Sequence, residues 1–369
     1  EIKSQTNNMP CHETTYPVSY LPVVIVRPHL LERNAAVPPE FPFSLNSTPG
    51  TMLSSLWEVK RMQRRSFGKT GLEVSILGFG GAPVGFLETE QRDVADILNG
   101  LLDQGVNLID TAAGYSGSEE MIGKTIGGRR DDYILVSKCG RAMEGVEGAE
   151  WSEEVITNTL DRALARLQTD HLDVMLLHTC DLETLKAGEA VGALVKARDA
   201  GKIRFLGYAG DNEAAAYAAQ LDDVAVIETS VSICDQANIE NVLAPCRENN
   251  VGVLSKRSIA NAAWKGAAQQ RGMYVNYAEN YAQRLEKMAI TPEDLGFSGP
   301  EDWPEIALRF TLFQPGLSCA IVGTTKPGNV TTNLAAAAKG PLPEDAAGKI
   351  RAAFRQAEAA TGETWLGLQ

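Results

Sequence analysis

Four side chains whose chemistry suits proton transfer stand at, or just after, the ends of apolar runs. Asp110 ends the run Val-Asn-Leu-Ile-Asp, Lys138 ends Tyr-Ile-Leu-Val-Ser-Lys and His178 ends Asp-Val-Met-Leu-Leu-His. Tyr115 follows Asp110 in the next loop. An ammonium beside a phenol stabilises the phenolate and lowers the pKa of the phenol, and a carboxylate can hold that ammonium in place. If these side chains meet, they place a phenol beside a cation, a carboxylate and an imidazole.

Apolar runs typical of β-strands alternate with helical patterns along most of the chain, which is the pattern of a parallel sheet. The predicted strands are the runs that end near residues 80, 110, 138, 178, 207, 227, 254 and 322. The predicted helices cover residues 89–104, 119–126, 152–167, 182–200, 239–249 and 303–313. Eight such strands predict a single α/β domain with the (β/α)8 TIM-barrel fold, whose active sites lie at the C-terminal ends of the strands. We therefore expect the three strand-end residues to converge.

The two ends of the chain depart from this repeat. Residues 1–61 are Pro-rich and have no periodic pattern, so we expect a disordered segment or a non-native leader there and a folded part at residues 62–369. The apolar patch at residues 20–26 is too short for a signal sequence and has no basic region before it. Residues 67–71 predict an N-terminal hairpin turn, and the alanine-rich residues 344–361 predict an extra C-terminal helix.

The composition limits the classes of partner. The chain has 369 residues and is 44% hydrophobic, which is enough for a full-sized core. Its net charge of -13 argues against nucleic acid and against an anionic membrane surface as partners, and no apolar run approaches the roughly 20 residues that span a bilayer. Six cysteines without a Cys-x-x-Cys pair and four histidines without ligand spacing predict reduced thiols, no metal site and a cytoplasmic location.

One segment is similar to a known family signature. Residues 110–119, Asp-Thr-Ala-Ala-Gly-Tyr-Ser-Gly-Ser-Glu, followed by Met-Ile-Gly, resemble the second-strand motif of the aldo-keto reductase superfamily. Lys138 and His178 stand on the strands where that family carries a lysine and a histidine. The resemblance covers nearly everything from residue 62 to the C-terminal helix. It implies a barrel that binds NADP(H) or NAD(H) without a Rossmann domain and interconverts carbonyls and alcohols.

The resemblance also implies a role for each of the four side chains. Hydride transfer from a nicotinamide to a carbonyl carbon builds negative charge on the oxygen, which a proton donor must meet. Tyr115 would be the general acid, and Lys138 would lower its pKa. Asp110 would hold Lys138, and His178 would donate a hydrogen bond to the carbonyl oxygen. The hydride chemistry itself would belong to the cofactor.

The cofactor contacts implied by the resemblance are spread over several strand ends. They are Gly80, Glu228, Ser255, Lys256, Arg257, Gly323, Thr324, Thr325, Lys326, Asn329 and Asn333. Glu228 stands where relatives often have glutamine. Lys256 and Arg257 replace part of an aromatic-Ser-Pro segment and would hold the pyrophosphate.

The loop after the eighth strand would hold the adenosine end of the cofactor. Its hydroxyls, amides and helix N-terminus suit an anion. NADP-preferring relatives often have arginine where Asn329 stands, so Thr325 and Lys326 would carry the 2'-phosphate. NADP(H) is therefore expected over NAD(H).

Three functions are compatible with these residues. The first is an NADP(H)-dependent oxidoreductase that reduces an aldehyde, a ketone or a sugar-like carbonyl, or oxidises the alcohol. The second is a non-catalytic protein that binds the cofactor and regulates a partner, as potassium-channel β subunits of this superfamily do. The third is a Schiff-base aldolase with Lys138 as the nucleophile. Taken alone, Asp110 and Lys138 would also fit a buried structural ion pair.

Overall fold

The computed structural model describes residues 62–87, 89–270 and 274–368. Its strands are β1 (Arg64–Ser66), β2 (Glu73–Ser75), β3 (Leu77–Gly80), β4 (Leu108–Asp110), β5 (Ile134–Cys139), β6 (Leu172–His178), β7 (Ile203–Ala209), β8 (Val224–Ser230), β9 (Gly252–Lys256) and β10 (Cys319–Val322). Strands β3 to β10 form a closed barrel in which each strand pairs in parallel with the next, and β10 closes the barrel against β3. The predicted (β/α)8 barrel is confirmed. Predictions about residues 1–61, including Cys11, fall outside the described residues.

Helices follow the barrel strands and cover the outside of the barrel. They are α1 (Ala82–Phe86), α2 (Gln91–Asp103), α3 (Ser118–Ile126), α4 (Glu153–Leu167), α5 (Leu182–Ala187), α6 (Glu189–Asp199), α7 (Asn212–Ala218), α8 (Ala237–Asn241), α9 (Leu243–Glu248), α10 (Tyr274–Met288), α11 (Trp303–Leu312), α12 (Gly328–Ala338) and α13 (Glu344–Thr361). The predicted C-terminal helix is present with the predicted bounds. No helix in the described part of the chain is long and apolar enough to cross a membrane.

Two predicted helices are each divided in the structure. The prediction of one helix over 182–200 is wrong, because Gly188 has a φ of 78° and ends α5 before α6 begins. The prediction of one helix over 239–249 is also wrong, because the helix is interrupted at Val242, between α8 and α9. Pro245 has no N–H to donate to a carbonyl four residues earlier, so a continuous helix would lose that hydrogen bond.

The predicted N-terminal hairpin closes one end of the barrel. Strands β1 and β2 pair antiparallel, and the turn between them uses the left-handed region at Gly68 (φ 56°) and Gly71 (φ 70°). Phe67 is fully buried, and a Cβ built on Gly252 of β9 would lie 2.4 Å from its ring. The aromatic ring therefore fills the N-terminal end of the barrel, and the opposite end is left for the site.

The barrel interior is filled by alternate residues of the strands. Side chains of a strand point to opposite faces in turn, so residues two apart share a face. Apolar residues of one buried cluster mark the inward positions, among them Leu108, Val136, Leu176, Val226 and Leu254. The residues between them pack outward against the helices in a second, larger cluster. Cys139, Cys180, Cys234, Cys246 and Cys319 are buried free thiols.

Candidate active site

On five strands, the next inward-facing position toward the C-terminal end is charged or polar instead of apolar. Two positions after the apolar residues Leu108, Val136, Leu176, Val226 and Leu254 stand Asp110, Lys138, His178, Glu228 and Lys256. All five lie at the C-terminal ends of their strands. The strand period of two therefore turns all five toward the same end of the barrel interior.

Lys138 lies between two carboxylates. Its Nζ is 2.5 Å from Asp110 Oδ1 and 3.2 Å from Glu228 Oε2, and it donates a hydrogen bond of 3.0 Å to the Thr111 carbonyl. The Lys138 side chain is 1% exposed, and each of the two carboxylate side chains is 2% exposed. The pKa of Asp110 is raised well above its usual value by burial and by the charge of Glu228, although Lys138 opposes the shift. The ammonium is therefore held between two carboxyl groups, and it would face one negative charge more than it neutralises when both are ionised.

Tyr115 and His178 complete the group that the sequence predicts to meet. The Lys138 Nζ is 5.2 Å from the centre of the Tyr115 ring. The ring centres of Tyr115 and His178 lie 5.9 Å apart, edge to face. The ring centre of Phe86 lies 5.3 Å from that of Tyr115. Unlike the buried Lys138, both Tyr115 and His178 are partly exposed. The structure thus brings these four predicted residues together, and Tyr115 and His178 line the open side.

The proton affinities of the two rings differ from the simplest expectation. Burial raises the pKa of Tyr115 to about 12; the charge of Lys138 lowers it, and the charges of Asp110 and Glu228 raise it. Burial also holds the pKa of His178 well below its usual value, with help from the charges of Lys138 and other nearby cations. At neutral pH, Tyr115 is therefore a phenol and His178 a neutral imidazole, so each can donate a hydrogen bond to a substrate oxygen.

Glu228 has a different environment from the one expected for a cofactor contact alone. It reaches from β8 across the barrel to Lys138 on β5. Its Oε2 forms no hydrogen bond of acceptable geometry in the described part of the chain, although it lies at ion-pair distance from Lys138. The sequence analysis missed the charge cluster that Glu228 joins. Glu228 stands two positions after the inward-facing Val226 on β8, and this alternation could have revealed that its side chain points into the barrel.

The predicted pyrophosphate contacts after β9 already have partners within the chain. Lys256 Nζ is 2.9 Å from Asp211 Oδ2. Arg257 donates to the Leu368 carbonyl. Ser255 is fully buried, and its hydroxyl donates to the Val231 carbonyl at 2.9 Å. Lys256 and Arg257 lie at the barrel mouth, whereas Ser255 holds the loop that follows β8.

The loop predicted to bind the adenosine end of the cofactor follows β10. Asn329 Nδ2 donates to Thr324 Oγ1 at 2.8 Å, and the same oxygen accepts from the Lys326 N–H at 3.1 Å, so these groups shape the loop. Thr325 is partly exposed, and Lys326 is exposed without an ion-pair partner among the described residues. Asn333 is partly buried on α12.

Two predicted glycines bring this loop against the first strand of the barrel. Gly80 ends β3 beside Asp110. A Cβ built on Gly323 would lie 2.6 Å from the Gly80 carbonyl oxygen and 2.6 Å from Pro83 Cγ. Such distances exclude a side chain at residue 323, so only glycine allows β10 to lead into the loop at this point.

A second buried polar cluster lies next to the site, and the sequence analysis did not identify it. Asp211 is fully buried and accepts hydrogen bonds from the Ser230 N–H at 2.6 Å and from Asn238 Nδ2 at 2.9 Å. Although burial opposes it, the charge of Lys256 lowers the pKa of Asp211. The C-terminal segment joins this cluster, because Gly367 N–H donates to Asn212 Oδ1 at 2.8 Å. The cluster holds Lys256 at the barrel mouth.

Asp235 connects this cluster to α10. Its Oδ2 accepts from the Tyr281 hydroxyl at 2.9 Å and from the Leu368 N–H at 3.1 Å, and Arg284 is 3.9 Å from Oδ1. Burial, assisted by the charge of Asp211, raises the pKa of Asp235 to about 7. The folded state therefore keeps a proton that the unfolded chain loses near pH 4.

We expect Asp235→Asn to remove part of the pH dependence of stability. In the wild type, the raised pKa of Asp235 means that the free energy of unfolding falls by about 4 kcal/mol as pH rises from 4 to 7. It then levels off. The variant lacks this titration. Urea midpoints of both proteins at pH 4.5, 6 and 8 would test this. If the midpoints of the two proteins changed in parallel with pH, the pKa of Asp235 would not be raised by folding.

Comparison with known proteins shows the family of this chain. Residues 76–355 match the model of the Aldo/keto reductase family. The chain belongs to this family. L-galactose dehydrogenase of Arabidopsis thaliana is 28% identical over 290 residues, which is 75% of this chain and 88% of that protein. A protein of Arabidopsis thaliana named as a probable voltage-gated potassium channel subunit beta is 27% identical over 310 residues, covering 76% of this chain and 93% of the other.

A solved aldo-keto reductase shows the same architecture. The holo form of an aldo-keto reductase from Bacillus halodurans is similar with a TM-score of 0.65 and 26% identity, over 79% of this chain and 96% of that chain. The family model covers all eight strands of the barrel of this aldo/keto reductase, so the predicted family and fold are confirmed. The family consists of oxidoreductases that act on carbonyl groups.

Proposed function

We propose that this protein is an NADP(H)-dependent oxidoreductase that interconverts an aldehyde, ketone or sugar-like carbonyl with its alcohol. The observation that carries the proposal is the buried ammonium of Lys138, placed 5.2 Å from the Tyr115 ring centre at the open end of the barrel. A phenol beside a fixed ammonium and a neutral imidazole is an arrangement that can protonate a carbonyl oxygen.

The residues of the barrel mouth would share the work as follows. Tyr115 would donate the proton to the carbonyl oxygen and take it back in the oxidative direction. Lys138 would stabilise negative charge on the phenol oxygen, and Asp110 would keep the ammonium in place at 2.5 Å. His178 would orient the substrate oxygen by a hydrogen bond. When bound, the nicotinamide would supply or accept the hydride.

Two observations support a dinucleotide at this end of the barrel. Glu228 places a buried carboxylate beside Lys138, and its Oε2 has no hydrogen bond among the described residues. The loop after β10 places Thr325 and Lys326, which has no ion-pair partner in the described part of the chain, before the N-terminus of α12, where a phosphate would be stabilised. Gly80, Gly323, Thr324, Asn329 and Asn333 would shape or line the adenosine side, and Lys256 and Arg257 the pyrophosphate side.

Lys326→Ala should distinguish NADPH from NADH. If its ammonium contacts the 2'-phosphate, the variant should bind NADPH about tenfold more weakly, while its affinity for NADH stays nearly unchanged. Fluorescence titration of both reduced cofactors would measure this. Lys339→Ala, at the far end of α12, is a matched control. Equal weakening of both cofactors would place the 2'-phosphate contact on another residue.

The proposed activity is tested by cofactor consumption. The full chain would be incubated with NADPH and with NADH on aromatic aldehydes and diketones, and with the oxidised cofactors on sugars that include L-galactose, the substrate named by a relative. Turnover that is faster with the phosphorylated cofactor would support the proposal. Absence of cofactor binding would overturn it.

A regulatory protein that binds cofactor without turnover is the second candidate. It is favoured by the relative named as a potassium channel subunit and by the raised pKa of Tyr115, which makes the phenol a weaker acid. Tight binding with negligible turnover would support this candidate. The aldolase alternative is disfavoured. Although burial alone would lower it, the charges of Asp110 and Glu228 raise the pKa of Lys138 above its usual value, so the amine stays protonated and is not a nucleophile.

A further inference from the structure

We propose that Glu228 makes this site prefer the oxidised nicotinamide ring, which carries a positive charge, over the neutral reduced ring. The proposal deepens the proposed function and rests on it, because it requires a nicotinamide beside Tyr115. It assigns to Glu228 a property that an uncharged side chain at the same place would not have.

The position of Glu228 gives its charge a direct effect on the site. The carboxylate is 2% exposed, so solvent screens it little. It extends from β8 into the barrel interior and reaches Lys138, which β5 carries on another part of the barrel wall. Its Oε2 lacks a hydrogen bond of acceptable geometry in the described part of the chain. A buried carboxylate oxygen in this state is stabilised by an approaching positive charge.

When both carboxyls are ionised, the charges around Lys138 do not balance. Asp110 and Glu228 bring two carboxylates to a single ammonium, at 2.5 Å and 3.2 Å. Their mutual repulsion is visible in Asp110, whose pKa burial and Glu228 together raise well above its usual value. The three side chains thus attract one further positive charge, whether a proton on Asp110 or a cationic ring beside Glu228.

The neighbouring residues leave this imbalance in place. His178 is neutral at pH 7, because burial and the surrounding cations hold its pKa well below the usual value. Lys256 is paired with Asp211 at 2.9 Å, so these two charges offset each other. Arg141 donates to the carbonyls of His178 and Thr179, and its side chain is 49% exposed, so solvent screens its charge.

Chemistry places the nicotinamide within reach of this charge. The carbon that exchanges the hydride bears the oxygen that exchanges a proton with Tyr115, so the ring must lie within a few ångströms of the phenol. The two forms of the ring differ by one positive charge. A buried carboxylate at that range should change their relative affinity at least tenfold, which is about 1.4 kcal/mol. Such a site retains the oxidised cofactor and is suited to the oxidation of an alcohol.

The test compares the two cofactor forms in the full chain and in Glu228→Gln, which keeps the shape of the side chain and removes its charge. Dissociation constants for the oxidised and reduced forms would be measured by calorimetry and fluorescence. The wild type should bind the oxidised form at least as tightly as the reduced form. In the variant, the ratio of the oxidised to the reduced dissociation constant should rise at least tenfold.

Two controls isolate the charge. Glu119→Gln removes another buried carboxylate, whose Oε1 accepts from the Ser137 hydroxyl at 2.8 Å on the outer face of β5, and should leave the ratio unchanged. ADP-ribose 2'-phosphate carries no nicotinamide and should bind equally to the wild type and to Glu228→Gln. Equal binding would show that the variant is folded and that only the ring senses the change.

The possible outcomes separate this proposal from the proposed function. An unchanged ratio in Glu228→Gln, or equal weakening of both forms, would overturn the charge preference while leaving the oxidoreductase intact. Weaker binding of the oxidised form by the wild type would also overturn it, even if the variant failed to fold. If the wild type bound neither form, the proposed function itself would fail.

Discussion

Tyr115→Phe should reduce turnover about a thousandfold, which is within the range for loss of a general acid. The phenol is the only group in the proposed mechanism that exchanges a proton with the substrate oxygen. Its pKa of about 12 keeps it protonated across the pH range of an ordinary assay. The phenyl ring would keep its contacts with Phe86 and His178, so the affinity for cofactor should be nearly unchanged. Steady-state turnover and a cofactor titration of the same preparation would measure both.

The control for this substitution is Tyr133→Phe. Tyr133 is a buried tyrosine immediately before β5, at the opposite end of the strand that carries Lys138, and its hydroxyl makes only a long contact of 3.4 Å with the Ile126 carbonyl. Removal of that hydroxyl should leave turnover intact. Full activity of Tyr115→Phe would show that another group donates the proton, and an equal loss in both variants would point to a general effect on folding.

Lys138→Met should destabilise the protein by about 3–5 kcal/mol at pH 8, since it leaves Asp110 and Glu228 buried without their cation. The loss should be smaller at pH 5. Without the ammonium, which lowers it, the already raised pKa of Asp110 rises further in the folded state, so the folded variant holds a proton that the unfolded chain releases. Its stability then falls as pH rises. Wild-type Lys138, whose pKa is raised, does not titrate between these pH values. Urea denaturation at both pH values would measure the difference.

Two further variants make this result specific. Addition of Glu228→Gln to Lys138→Met should recover part of the lost stability at pH 8, because one of the two orphaned carboxylates is removed. Lys186→Met deletes an exposed lysine paired with Glu183 and should leave the midpoint unchanged. An equal loss for Lys138→Met at both pH values, with no recovery in the double variant, would show that packing rather than charge holds this part of the barrel together.

The sequence by itself determined the barrel and the four side chains at its mouth. Hydrophobic runs of strand length, separated by helical patterns, specify local structure and its order, and parallel strands admit few arrangements. Asp110, Lys138 and His178 each end such a run, so their convergence follows once the barrel closes. The helix breaks at Gly188 and Val242 were harder to predict, because short helices depend on single residues at their ends.

The tertiary structure decided the electrostatics of the site. Glu228 meets Lys138 only because the barrel closes and brings β8 opposite β5, a contact that no local pattern contains. The sequence analysis expected Lys138 to lower the pKa of Tyr115; the ammonium does act in that direction, but burial outweighs it and the pKa is raised to about 12. A pKa shift depends on solvent exclusion and on every charge nearby. Solvent exclusion and the positions of nearby charges are set only when distant parts of the chain pack together. The order of strands and helices, in contrast, follows from local sequence patterns.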